Sequence, residues 1–129
     1  MDFRLEVVQV PVADVDRAKA FYAERVGFVL DRDHQVSDDV RVVQLTPPGS
    51  GCSIVIGTGL AAMEPGSVQG LQLVVSDMSA AHEQLTSRGV DVSEIEILGR
   101  SGHPGFRFAH FRDPDGNGWV LQEDHPVEA

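Results

Sequence analysis

The sequence predicts an α+β fold made of two βαβββ modules in tandem, and three observations predict it. Residues Val7–Arg25 (VVQVPVADVDRAKAFYAER) are echoed by Gly70–Arg88 (GLQLVVSDMSAAHEQLTSR) at a constant shift of 63 positions, so that Gln9 meets Gln72, Asp14 meets Asp77, Ala18 meets Ala81 and Arg25 meets Arg88. Each copy begins with period-two alternation of apolar and polar residues and then switches to helical spacing. Each is followed by three further stretches of strand character. With 129 residues and 42% hydrophobic content, the chain is expected to form one domain over residues 1–129 that buries roughly two-thirds of its unfolded surface.

The elements follow in order. Arg4 to Val12 alternates, with Glu6, Val8, Val10 and Val12 in one phase and Leu5, Val7, Gln9 and Pro11 in the other, and reads as a strand. Asp14 stops it as an N-cap; Val15, Ala18, Phe21, Tyr22 and Val26 then form one helical stripe, with Asp14 and Asp16 at the positive end and Arg25 at the negative end. Gly27 closes that helix as a C′ residue. Strands are expected near Phe28–Asp33, Val40–Thr46 and Ser53–Gly57, broken by segments such as Pro47–Gly51. In the second copy Leu71–Ser76 alternates, Met78, Ala81 and Leu85 form a helical stripe ending at Arg88-Gly89, and strands are expected near Glu94–Leu98, Gly105–Arg112 and Gly118–Glu123. The first module thus spans about residues 3–57 and the second about 70–124, joined by a Gly- and Ala-rich connector over 58–69.

Charge and cysteine usage narrow the partners. A formal net charge of −10 repels phosphate backbones and anionic lipid surfaces, so neither nucleic acid nor a membrane is expected. It would also concentrate a cationic ligand near a cleft. The single cysteine, Cys52, rules out an internal disulfide and a multi-cysteine zinc site. No signal segment opens the chain and no apolar run approaches the roughly 20 residues that span a bilayer, so a cytoplasmic location is expected. There is no G-x-S-x-G elbow, phosphate loop or dinucleotide fingerprint.

The run Val10–Phe28 (VPVADVDRAKAFYAERVGF), the run Phe111–Glu123 (FRDPDGNGWVLQE) and the weaker internal copy of the first resemble the vicinal oxygen chelate superfamily, which includes glyoxalase I, bleomycin- and fosfomycin-resistance proteins and extradiol dioxygenases. The resemblance covers nearly the whole chain. It implies mixed, curled sheets around a cavity, and in the metal-dependent members a divalent ion held by His and Glu on the first and last strands of each module. Here those positions fall on Val7, on Gly70 and on Val120, seven residues after Asp113; the first module's last-strand position falls on Ser53 or Ile54. Such residues supply too few donors for a Lewis-acidic ion, so no metal and no other cofactor is expected.

If position 7 faces inward, as the resemblance implies, strand parity carries Gln9 with it and, through the repeat, Gln72 and Val74. Val120 and Gln122 share that phase on the last strand, and the penultimate strand offers Phe106, Phe108 and His110. The resulting ligand-binding set is Val7, Gln9, Gln72, Val74, Phe106, Phe108, His110, Val120 and Gln122, a mostly apolar lining with a few orienting polar groups. The three glutamines fit a wetted sheet face equally well. His110 is the one catalytic candidate, as a base; His34, His82, His103 and His125 are expected on loops, a helix flank or the tail, exposed to solvent. Asp113–Gly118 reads as a turn.

Two functions stay open. One is a metal-free small-molecule binding protein like the bleomycin-resistance branch, working as a homodimer and holding an apolar or cationic guest. The other is an enzyme of the glyoxalase or extradiol dioxygenase type, using His110 as base or a metal on unconventional donors such as His110 and Glu123.

Overall fold

The computed structural model describes residues 1–60, 62–99 and 101–128. Two compact units emerge: Met1–Val68 with Asp113–Asn117, and Gln69–Arg112 with Gly118–Ala129. Among the described residues no helix is long and apolar enough to cross a membrane.

The first unit holds β1 (Val7–Gln9), α1 (Val15–Ala20), a π-helical continuation Phe21–Val26, β2 (Val29–Ser37), β3 (Val40–Thr46) and β4 (Ser53–Thr58). Its sheet runs β1-β4-β3-β2, with β1 parallel to β4 and the other neighbours antiparallel. The second unit holds β5 (Leu71–Val75), α2 (Met78–Ser87), β6 (Glu96–Leu98), β7 (Phe106–Arg112) and β8 (Gly118–Glu123), with its sheet ordered β5-β8-β7-β6. Strand order and strand sense are the same in both sheets, as tandem βαβββ modules require.

The repeat is written into the caps. Asp14 accepts from the Arg17 N–H at 3.1 Å and Asp77 from the Ala80 N–H at 3.1 Å, each satisfying an orphan donor of the first helical turn. Gly27 follows the first helix at φ 93 and Gly89 the second at φ 83, a left-handed conformation that glycine adopts without a Cβ clash.

Three elements depart from the sequence expectation. Strand β1 is shorter than Arg4–Val12, because β4 supplies pairing only from the Ser53 N–H on Glu6 to the Val10 N–H on Val55, after which Pro11 has no N–H to give. Strand β2 runs on to Ser37 and so takes in His34, which is no loop residue. The first helix widens after Ala20: the Gly27 N–H reaches the Tyr22 carbonyl at 3.0 Å, five residues back. Successive side chains stand about 100° apart on an α-helix, and the wider turn lets the neighbours Phe21 and Tyr22 both enter the core, at 8% and 0% exposure. Tyr22 stacks on Phe28 with ring centroids 5.6 Å apart and meets the edge of Phe21 at 5.2 Å.

Asp113 joins this cluster. The turn Asp113–Asn117 forms as expected, with the Gly116 N–H on the Asp113 carbonyl at 3.0 Å and Gly116 at φ 96. Its purpose is burial of a carboxylate: Asp113 Oδ1 accepts from the Asp115 and Asn117 N–H groups, both at 2.9 Å, and Oδ2 from the Tyr22 hydroxyl at 2.7 Å and Asn117 Nδ2 at 2.8 Å. All four lone-pair directions are filled.

In the second unit α2 packs on β7 and β8 over Met78, Leu85, Ala109, Phe111, Trp119 and Leu121, with the Phe111 and Trp119 rings parallel at 5.9 Å. Buried Glu123 holds the helix start, its Oε2 accepting from the Met78 N–H and its Oε1 from Arg107 Nη1, both at 2.8 Å. The Met78 N–H and then Arg107 hold the Glu123 carboxyl below its ordinary value of 4.5. On the first unit Arg41, and then Lys19, hold Asp33 well below the carboxylate range; Lys19 Nζ lies 2.8 Å from Asp33 and ties α1 to β2.

Two outcomes follow for stability. Asp113→Ala leaves buried donors without an acceptor and should cost about 3 kcal/mol or more in urea unfolding, whereas Tyr22→Phe, which removes one bond, should cost about 1 kcal/mol. Glu123 binds its proton less readily folded than unfolded, so its stabilisation is present above pH 4.5 and is lost as pH falls through the lower folded value. Urea midpoints measured from pH 6 down to pH 3, an interval of about three units around the unfolded value, should therefore fall less steeply in Glu123→Gln than in the parent chain.

Candidate functional site

Each sheet has one face against its helix and one open face. In the second unit the register sets Gln72 beside Val120, Val74 and Phe108 beside Gln122, and His110 beside Val120, so these six side chains share the open face. Phe106 lies two residues before Phe108 and has the same parity. Trp119, Leu121 and Glu123 lie on the helix face. In the first unit Val7 pairs with Ser53 and Gln9 with Val55 on the open face. Gln72 Nε2 donates to Gln122 Oε1, which joins two of the glutamines across β5 and β8.

Two cavities open here, one in each unit. The larger, about 440 Å³, lies in the second unit against the β7–β8 pair and takes in His110 and Val120 from the expected set. The smaller, about 210 Å³, lies in the first unit and takes in Gln9 together with Val55, Leu60 and Met63. Ligand cavities run from about 300 Å³ upward, so the second-unit cavity is the candidate site. Val7, Gln72, Val74, Phe106, Phe108 and Gln122 line neither cavity.

The second-unit cavity also takes in residues that the sequence reading did not single out: Asp91, Ser93 and Arg112. Arg112 lies two positions beyond His110 on β7, so the alternation that selects His110 extends to it. Asp91 and Ser93 stand in an irregular segment ahead of β6, where no periodicity marks them. Ser93 holds the edge of β7 from both sides: its N–H donates to the His110 carbonyl at 2.8 Å and its Oγ accepts the His110 N–H at 2.8 Å. His82, on α2, contacts the Ser93 carbonyl through Nε2 at 2.9 Å and is half-buried, unlike the exposed flank position expected for it. The His110 ring has no hydrogen-bond partner among the described residues.

The positions that hold an ion in metal-dependent relatives can be tested for donors. Gln9 pairs with Val55 as its repeat partner Gln72 pairs with Val120. The first-module counterpart of Val120 is therefore Val55, not Ser53 or Ile54. Ile54 is buried on the helix side, and Ser53 bonds Thr46 at 2.6 Å. Val7, Val55, Gly70 and Val120 carry no oxygen or nitrogen side-chain donor, so the residues present do not fit a metal ion. Gly70 stands at φ 83 with nothing within 4 Å of where a Cβ would lie. Space for a ligating side chain exists there, but the backbone is left-handed, which L side chains rarely adopt. Among the described residues no three His, Cys, Asp or Glu side chains are grouped to hold an ion. His110 and Glu123 sit on opposite faces of the sheet, and both Glu123 oxygens are already engaged.

Comparison with known proteins gives consistent matches. The sequence profile of the Glyoxalase/Bleomycin resistance protein/Dioxygenase superfamily matches residues 4–121. TnmS3, an antibiotic binding protein from Streptomyces sp. CB03234, is 36% identical with a TM-score of 0.82, the match covering 98% of both chains. A glyoxalase/bleomycin resistance protein from the same Streptomyces is 37% identical with a TM-score of 0.77, over 92% of this chain and 99% of that one. The uncharacterized protein YetH of Bacillus subtilis (strain 168) is 31% identical over 93% of this chain and 98% of its own.

Proposed function

The chain belongs to the glyoxalase/bleomycin resistance protein/dioxygenase superfamily, and from that premise we propose that it binds a small, largely apolar molecule without a metal ion and performs no bond chemistry on it. The observation that carries this reading is the second-unit cavity of about 440 Å³, where Val120 and the backbone of Gly70 stand in place of metal ligands. A volume of that size suits a drug-sized guest, and the wall is more polar than the alternating strands predict, with Gln69, Asp91, Ser93, His110 and Arg112 around Val120 to orient what is held. The likeness to an antibiotic binding protein at 36% identity supports a binding role.

The enzyme reading has one observation in its favour, since His110 faces the cavity. A general base is oriented by a further group on its second ring nitrogen, and His110 has no such partner among the described residues. The valines and Gly70 at the ion-holding positions count against its metal-dependent form. The balance favours binding.

The reading extends to a homodimer in the cytoplasm. Val74, Ile97 and Leu98 are 61%, 59% and 51% exposed on the second unit, and apolar side chains in such numbers on one sheet suit cover by a second copy. The single cysteine suits a reducing compartment.

Sedimentation equilibrium should return twice the chain mass of 14.0 kDa; the monomer mass at micromolar concentration would remove the dimer. For the cavity, uncharged phenylnaphthylamine serves as a fluorescent probe. Val120→Trp fills the space and should weaken probe binding at least about tenfold with folding intact, since overpacking costs ~1–3 kcal/mol. Manganese, nickel, zinc or ferrous ion should leave the melting temperature of the parent chain unchanged, because only an ion that binds the folded state raises it.

A further inference from the structure

We propose that the second-unit cavity selects guests carrying an oxyanion, such as a carboxylate or sulfonate, and that Arg112 is the residue that selects them. The inference rests on the small-molecule reading of the same cavity and adds the chemical class of the guest.

Arg112 closes β7, and its cross-strand neighbour on β8 is Gly118. The place where a side chain at Gly118 would stand is taken by the Gln69 carboxamide, which lines the same cavity as Arg112. Arg112 lines the cavity and is exposed. Among the described residues it makes no ion pair and no side-chain hydrogen bond, whereas Arg17, Lys19, Arg41 and Arg107 are each paired with a carboxylate. Asp91 lines the same cavity and is likewise unpaired. Two opposite charges thus face one space without neutralising each other. Asp91 repels an oxyanion from its own side, and Arg112 is left as the place where one can sit.

The overall charge of −10 sharpens the point. The mean field of this chain disfavours anions, so an anionic guest must gain its selectivity locally, from bonds that long-range steering does not supply. A guanidinium presents two parallel N–H donors to a carboxylate or sulfonate, and such charge-assisted pairs are about twice as strong as neutral ones. Val120 offers an apolar contact for the rest of the guest.

The test uses two fluorescent probes with one aromatic body: anilinonaphthalene sulfonate, and phenylnaphthylamine, which lacks the sulfonate. The parent chain should bind the sulfonate about tenfold tighter than the uncharged probe, in line with one charge-assisted pair. Arg112→Gln should bring the two affinities to parity by weakening the sulfonate alone. Arg112→Lys should keep part of the preference. Arg25→Gln, which removes the same charge from an exposed site in the first unit, should leave the ratio unchanged. Equal affinities in the parent chain, or a preference that survives Arg112→Gln, would overturn the assignment while leaving the cavity reading standing. Failure of the parent chain to bind either probe would overturn both. A thermal melt of each variant separates lost selectivity from lost folding; should Arg112→Gln melt early, the Arg112→Lys ratio decides, and a value equal to the parent's counts against the bidentate contact.

Discussion

Burial of the Asp113 carboxylate is the constraint on which the first unit depends. A carboxylate at 5% exposure is tolerable only when its acceptor sites are filled, and here each oxygen takes two donors. Two of those donors come from Asn117, which is itself fully buried and works in other directions as well. Its Nδ2 also reaches the Pro11 carbonyl at 2.8 Å, and its Oδ1 accepts the Val68 N–H at 3.1 Å. Residues distant in sequence, at positions 11, 22, 68 and 113–117, therefore meet around one charge. Tyr22 must then lie with its hydroxyl at that charge and its ring against Phe28, and the π-helical turn allows this beside an equally buried Phe21.

Most of the fold was legible because local signals and tertiary demand agreed. Asp14 and Asp77 cap their helices as short acceptors do, Gly27 ends the first helix, and strands β3 and β8 fall where the sequence marks them. The departures arise where a neighbour overrides a local pattern. Arg4 and Leu5 alternate as a strand would, yet β4 does not extend to meet them. His34 reads as part of a polar break, yet pairing with Val42 carries β2 through it. The π-helical turn left no sequence signal, because Phe21 and Tyr22 satisfy an α-helical stripe nearly as well.

The site was legible in its parity and less so in its occupants. The inward position that the resemblance implies, carried along the strands by alternation and the repeat, puts Gln72, Val74, Phe108, His110, Val120 and Gln122 in one phase, and pairing across β5, β8 and β7 sets them on one side of the sheet. Sharing a face is a weaker condition than lining a cavity, which depends on where the chain around the sheet leaves space. The irregular segment carrying Asp91 and Ser93 determines that, and it has no period to read. Arg112 was within reach of the same alternation. It reads instead as the residue before a turn, and its significance comes from lining the cavity without an ion pair to any described carboxylate.

At the positions where metal-dependent relatives hold an ion, this chain departs at more than one residue. Four positions lack donors, and at Gly70 the backbone itself is set for glycine at φ 83. Placing a histidine there would incur the strain of a left-handed residue, on the order of 1–3 kcal/mol, before any ion could offset it. A valine at 7, 55 or 120 could be exchanged for a carboxylate, but a lone carboxylate on an open sheet face cannot hold a divalent ion against water. No single step is rewarded, because coordination requires several donors at once. Retention of a guest meets no such threshold: each contact from the wall contributes separately, and a cavity with Val120 where a ligand would stand can be tuned one residue at a time.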